Sequence, residues 1–112
     1  MFSFFKKKPL SPDGQVIEQL RQHGSDLSKL HEIDFFFYFP EQMAADRVAG
    51  KLTMIGFSAE ASLSTKGDIW VVQAKKAMVP VLADLEELTV RFKKIAADEN
   101  GDYDGWGCPI VM

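Results

Sequence analysis

Along this chain the spacing of apolar residues switches repeatedly between the two-residue period of a strand and the longer period of a helix. Ile33 to Phe39 is dense in residues that suit a pleated strand, which Pro40 ends. From Glu41 to Ile55, apolar residues recur at helical spacing, and Gly56 is placed to end that helix. Residues 57–64 alternate strictly between apolar and polar, which predicts a strand with one solvent-exposed face.

The other elements follow from the same patterns. Turn residues at 64–68 lead into a strand over Ile69 to Met78, so the two strands form a hairpin. Pro80 suits the first turn of a second long helix, whose apolar face continues to Ala96. A polar loop around Gly101 then precedes one short strand within Tyr103 to Met112.

A shorter helix precedes all of these elements. Asp13 is predicted to cap it, and its apolar stripe ends near His23 and Gly24. The complete order is therefore a helix followed by β-α-β-β-α-β. This order predicts an α+β, ferredoxin-like domain, in which two long helices pack on one face of a four-stranded antiparallel sheet. The domain is expected to span residues 13–112, after a basic, Pro-containing tail at residues 1–12.

Strand parity predicts which aromatic side chains face away from the helices. The first and third strands lie at the centre of such a sheet, and successive side chains of a strand point to opposite faces. If Ile33, Phe35, Phe37 and Phe39 point toward the helices, Phe36 and Tyr38 lie on the open face. These two rings are candidates for binding a ligand or the bases of single-stranded RNA.

Composition narrows the classes of function. The 112 residues carry a net charge of −3, and Lys6, Lys7 and Lys8 concentrate positive charge in the tail, so the remainder is more acidic. An acidic body disfavours direct RNA binding. Cys108 is the only cysteine, which excludes an intramolecular disulfide and fits a reducing, cytoplasmic compartment. The longest apolar run is too short for a membrane span.

No catalytic or metal-binding group emerges from the sequence. Cys108 with His31 or His23 is the available nucleophile and base, but no orienting residue or oxyanion donor accompanies them. Residues 100–105 resemble the start of a calcium loop, yet Val111 stands where that loop needs a glutamate. We therefore expect neither an enzyme nor a bound metal or cofactor.

The most unusual stretch is Tyr103-Asp104-Gly105-Trp106-Gly107, in which two large aromatic residues lie between small ones. Trp106 has two interpretations, a core residue whose indole N–H finds a buried acceptor or an anchor for a partner protein. The candidate partner-binding residues are the two aromatics and the nearby acidic group: Tyr103, Trp106, Asp98, Glu99, Asp102 and Asp104.

At this stretch the sequence resembles the regulator of ribonuclease E activity B family. The resemblance also includes Gly24-Ser25-Asp26 before the first strand and Gly56-Phe57 at the helix-to-strand step, and it covers about residues 14–112. It implies a ferredoxin-like fold and a small acidic protein that inhibits an RNA-degrading endonuclease by binding it directly.

Two functions from different classes remain open at this point. The first is a non-enzymatic regulator that binds a protein partner, a ribonuclease by the resemblance. The second is a ferredoxin-like module that binds a ligand or single-stranded RNA on its open sheet face. The sequence leaves a homo-oligomer open and does not name the partner.

Overall fold

The computed structural model of the chain describes residues 10–112, so most of the predicted tail, including its three lysines, lies outside the described residues. Three helices and four strands follow one another in the predicted order. They are α1 (Pro12–Gln22), β1 (His31–Phe39), α2 (Gln42–Met54), β2 (Ser58–Leu63), β3 (Trp70–Met78), α3 (Leu82–Asp98) and β4 (Asp102–Gly107). The chain therefore has an α+β architecture.

The strands form one open antiparallel sheet in the order β2-β3-β1-β4. This order confirms that the first and third strands are central. In β1, Phe35 lies opposite Ala74 of β3 on one side and opposite Trp106 of β4 on the other. The alternation and the turn residues predicted the β2–β3 hairpin, in which Ser58 pairs with Lys75 and Leu63 with Trp70.

Burial alternates along β1 and separates the two faces of the sheet. Its odd-numbered residues, including Ile33, Phe35, Phe37 and Phe39, are buried, and the residues between them are exposed or half-buried. Buried residues of α2 and α3, such as Leu52 and Phe92, join the same core. The predicted parity of β1 is therefore confirmed, and Phe36 and Tyr38 lie on the opposite face, which we call the open face.

The first helix completes the helical layer beside α3 and β4. Its N-cap is Ser11 rather than the predicted Asp13, because the Ser11 hydroxyl accepts a hydrogen bond from the Gly14 N–H at 3.1 Å. The same hydroxyl donates to Glu86 of α3 at 2.6 Å. Asp13 is instead buried within the first turn.

Of the expectations at two other helix ends, that for Pro80 needs adjustment and that for Gly56 is confirmed. Pro80 precedes the first turn of α3 instead of lying in it, since Val81 is the N-cap residue. Gly56 follows α2 with a φ of 101°, the conformation that a glycine after a helix end favours. The last strand ends at Gly107, before residues 108–112.

Residues 108–112 are held by the loop between α1 and β1. The Asp26 N–H donates to the Val111 carbonyl at 2.7 Å, and the Val111 N–H donates to the Ser25 hydroxyl at 3.0 Å. Ser25 also contacts Nε2 of the buried His31 at 2.7 Å, and Nδ1 of His31 contacts the Lys29 carbonyl at 2.9 Å. Both nitrogens of this histidine are thus used inside the fold.

Candidate protein-interaction site

The structure places Trp106 in the core. Its side chain is 8% exposed, and its indole Nε1–H donates a hydrogen bond to Oδ1 of Asp13 at 2.8 Å. The same carboxylate oxygen accepts from the Thr89 hydroxyl at 2.9 Å. One buried aspartate therefore joins α1, α3 and β4, and of the two interpretations of Trp106 the geometry favours the core residue.

Tyr103 also packs inward from β4. Its ring lies 5.1 Å from the Phe37 ring and 5.4 Å from the Phe92 ring, between centroids. Its hydroxyl is buried and makes no hydrogen bond of ordinary geometry within residues 10–112, although the Thr89 side chain interacts with it. Burial raises the pKa of this phenol above its ordinary value, so the hydroxyl stays neutral well into the alkaline range.

The acidic residues around β4 behave differently from the two aromatics. Asp98, Asp102 and Asp104 are exposed, and none of them forms a salt bridge with any other described residue. Glu99 is more enclosed and accepts two hydrogen bonds from Arg47, at 2.7 and 3.0 Å. These bonds hold the pKa of Glu99 below its ordinary value. Glu99 is therefore already neutralised by a cation of α2, whereas the three aspartates are accessible to a partner.

Asp104 connects this acidic group to the open face. It is the extra residue where the β1–β4 register shifts, since Phe36 lies opposite Gly105 and Phe37 opposite Tyr103. Its carboxylate interacts with the phenol of Tyr38, whose pKa is raised first by burial and then by this negative charge. The candidate partner-binding residues and the candidate open-face residues thus meet at one edge of the sheet.

The open face is acidic. By register, the side chains of Glu32, Asp34, Glu60 and Asp102 lie on the same side as Phe36 and Tyr38. Lys75 is the one cation among the described strand residues of this face, and its Nζ lies 3.9 Å from carboxylate oxygens of both Glu32 and Asp34. This distribution of charge opposes the approach of nucleic-acid phosphates.

The candidate catalytic groups do not come together as a reactive pair. The hydrogen-bond partners of His31 are Ser25 and Lys29, and Nδ1 of His23 contacts the Gln19 carbonyl at 2.7 Å. Burial raises the pKa of the half-buried Cys108 thiol, with Asp34 contributing, and so disfavours a nucleophilic thiolate. Across residues 10–112, no cluster of three or more His, Cys, Asp or Glu side chains is positioned to hold a metal ion.

Comparison with known families adds a decisive observation. The sequence model of a family described as regulator of ribonuclease activity B matches residues 11–108. The chain belongs to this family. The match confirms the resemblance carried by residues 103–107. No curated protein matches the chain significantly.

The family match covers every described helix and strand, from α1 to the end of β4. It therefore includes the Asp13–Trp106 contact, the acidic group and the open face. Lys6, Lys7 and Lys8 precede the matched range, so the basic tail is a feature of this chain outside the family match. No helix among residues 10–112 has the length and apolar content needed to cross a membrane.

Several residues that shape this regulator of ribonuclease activity were not identified from sequence. The sequence predicts Asp13 only as a helix cap, and nothing in it connects Asp13 to Thr89, because their contact joins positions 76 residues apart. Arg47 likewise reaches Glu99 across 52 residues. No local pattern signals such contacts, so only covariation between distant positions or a structure could have shown them.

Proposed function

We propose that this chain binds a ribonuclease as a protein partner and inhibits it, and that it catalyses no reaction itself. Membership in the regulator of ribonuclease activity B family carries this proposal. The family description names regulation of a ribonuclease, and direct binding is the simplest way for a small protein without a catalytic group to achieve it. We place this activity in the cytoplasm, and we interpret the strand order as a ferredoxin-like fold.

The exposed carboxylates at the β4 edge support a binding mode. Asp98, Asp102 and Asp104 present negative charge that the rest of the described structure does not neutralise. Ribonucleases carry cationic surfaces because their substrate is a polyanion. In our proposal these three aspartates contact such a surface, and Tyr103 and Trp106 position β4 from behind. Glu99, whose carboxylate is paired with Arg47, lies at the edge of this contact surface in our proposal.

RNA binding by the open face is the less favoured alternative. Phe36 and Tyr38 offer rings for stacking, but stacking platforms in single-strand-binding proteins are combined with positively charged grooves. Here the surrounding charge is negative, with Lys75 already flanked by Glu32 and Asp34. A protein partner with cationic side chains fits this face better than RNA does.

The proposal is tested with the purified chain and an endonuclease of the ribonuclease E type. Cleavage of a fluorescent RNA is measured with increasing amounts of the chain, and binding is measured by calorimetry. We expect saturable inhibition with equimolar binding. The variant Asp98→Asn, Asp102→Asn, Asp104→Asn should bind at least tenfold more weakly, since charged contacts steer and orient such complexes.

A matched control removes the same number of carboxylates elsewhere. Asp46→Asn, Asp84→Asn and Glu87→Gln change exposed residues of α2 and α3. This control should inhibit within about twofold of the parent at about 0.15 M salt, because salt at that concentration screens exposed charges that lie more than about 8 Å from the contact surface. If the parent chain neither binds nor inhibits the endonuclease at a large molar excess, the proposed function is wrong.

A further inference from the structure

Two glycines leave part of the edge strand β4 without side chains on the open face. Gly105 lies opposite Phe36 in the register, and Gly107 lies opposite Asp34. A Cβ atom built on either glycine would have no neighbouring atom within 4 Å. We call the open space over these two glycines, beside the Phe36 ring, the glycine trough.

One wall of the glycine trough is aromatic. Phe36 and Tyr38 are half-buried and follow each other on the same face of β1. On the β3 side Phe36 is flanked by Gln73, whereas on the β4 side Gly105 places no side chain against it. The ring is therefore accessible from the trough, and the face of an aromatic ring attracts a cation.

Carboxylates border both ends of the trough. Asp34 lies at one end, where its Oδ1 accepts a hydrogen bond from the Gln73 amide at 3.1 Å and lies 3.9 Å from Lys75 Nζ, which leaves Oδ2 for a ligand. Asp102, opposite Tyr38, and Asp104 lie at the other end. An accessible aromatic ring between carboxylates is a site for a cationic, planar group.

We propose that the glycine trough binds an arginine side chain of the protein partner. The guanidinium stacks on Phe36 and donates hydrogen bonds to the bordering carboxylates. Arginine suits this site better than lysine, because a planar guanidinium both stacks on rings and donates in a fork, whereas an ammonium is a strongly hydrated point charge. As a statement about a ribonuclease partner, the inference rests on the proposed function; as a binding site, it stands on the geometry alone.

The absence of side chains at Gly105 and Gly107 has a role in this proposal. It lets the partner's backbone approach the sheet closely, so that an arginine can lie flat against the Phe36 ring. Filling the trough should therefore block the site without changing its charge. Gly107 is suited to this test, because its φ lies outside the left-handed region and nothing would clash with an added Cβ.

The probe is a fluorescein-labelled nonapeptide in which three arginines alternate with glycine and serine, compared with its lysine counterpart and a single-stranded oligouridine RNA. We expect the arginine peptide to bind at least tenfold more tightly than the lysine peptide. Amide NMR signals of Gly105, Gly107 and Phe36 should shift on its addition. Phe36→Leu should weaken binding about tenfold, the effect of losing one favourable cation–π contact.

The filled variant is Gly107→Leu, and its matched control is Gly50→Leu, which adds the same side chain at an exposed position of α2 with nothing within 4 Å. Gly107→Leu should abolish most arginine-peptide binding, and Gly50→Leu should bind like the parent. Far-UV circular dichroism and thermal midpoints establish that the variants are folded. If a variant does not fold, the inference is tested by NMR on the parent: shifts at Gly105, Gly107 and Phe36 support it, and shifts confined to another surface contradict it.

Several outcomes would overturn this inference. They are equal binding of the arginine and lysine peptides, preferential binding of the RNA, shifts confined to another surface, and unchanged binding by folded Phe36→Leu or Gly107→Leu. Inhibition assays separate the two proposals. If Gly107→Leu inhibits the endonuclease as well as the parent does, the trough is not its docking site and the proposed function stands. If the parent does not inhibit the endonuclease, the proposed function is wrong. The peptide titration still tests whether the glycine trough binds arginine.

Discussion

Gly101 lies where α3 gives way to β4, and a Cβ atom there would lie 2.3 Å from Cδ1 of Phe39 and 2.5 Å from the Tyr38 carbonyl oxygen. The loop thus passes directly over the end of the buried central strand. Only a residue without a side chain allows this approach. The sequence marked Gly101 as part of a polar loop, but the requirement for glycine comes from a strand more than 60 residues earlier in the chain.

We predict that Gly101→Ala destabilises the protein by about 2 kcal/mol, in the range for overpacking a rigid contact. Gly50→Ala is the matched control, since it adds the same methyl group to an exposed helix interior. It should stabilise the protein by about 0.5–1 kcal/mol through helix propensity. Urea unfolding at pH 7 measures both values. Equal changes in unfolding free energy for the two substitutions would contradict the close contact of Gly101 with β1.

Tyr103 gives a pH-dependent prediction at the same scale. Its phenol has a raised pKa in the folded state because of burial. In the unfolded chain a tyrosine ionises near pH ~10. Above that pH the unfolded state releases a proton that the folded state retains, so stability should fall as pH rises past about 10.

Tyr103→Phe should remove that part of the alkaline loss. At pH 7 it should leave the protein as stable as the parent or up to about 1 kcal/mol more stable, because the buried hydroxyl makes no hydrogen bond of ordinary geometry and its removal also removes a desolvation cost. Tyr38→Phe is the control, and it should retain the alkaline loss that Tyr103 causes. Unfolding free energies between pH 8 and 11 measure the effect. A parallel decline of the parent and Tyr103→Phe would show that this phenol is not responsible.

At the scale of elements, local sequence patterns predict most ends of helices and strands. They do not predict the contacts that attach one element to another. The strands β1, β2 and β3 and the helix α2 begin and end within about two residues of the predicted positions. In contrast, α1 is attached through Asp13 and Ser11 to residues on α3 and β4. Residues 108–112 are likewise attached to the loop before β1.

Ser25→Ala tests the attachment of residues 108–112. It removes the acceptor of the Val111 N–H and the partner of Nε2 of His31, so we expect the free energy of unfolding to fall by about 1–3 kcal/mol. Amide hydrogen exchange at Val111 and Asp26 should become faster while β1 keeps its protection. Ser28→Ala is the control, because its exposed hydroxyl contacts only Asp26 and its loss should cost less than about 0.5 kcal/mol. Unchanged exchange at Val111 would exclude this role for Ser25.

At the scale of the whole molecule, charge is the property most relevant to partner choice. The chain has a net charge of −3, although three lysines lie in the first ten residues. Carboxylates are concentrated on the open face and at the β4 edge. The nearby cations Arg47 and Lys75 each lie within 4 Å of a carboxylate already, so they do not offset the remaining negative charge. A cationic partner therefore meets a surface that attracts it at a distance.

We predict that the association rate with the ribonuclease falls about tenfold or more when the salt concentration rises from about 0.05 to about 0.5 M, as for electrostatically steered complexes. The dissociation rate should change less. The Asp98, Asp102 and Asp104 triple variant should show a weaker salt dependence than the parent. Stopped-flow fluorescence measures the rates. An association rate independent of salt would show that this charge does not guide binding.

The sequence by itself determined the order of the elements and the orientation of β1, because both depend on spacing between near neighbours. Ile33 to Phe39 alternates in burial as its parity predicted, and residues 103–107 carried the family resemblance that the comparison confirmed. Only the tertiary structure decided the place of Trp106, whose N–H meets Asp13 across 93 residues, and the trough beside Phe36. Such features depend on which distant strands and helices pack together. The contacts that stabilise this packing form between residues far apart in sequence, so no short stretch of the chain contains both partners.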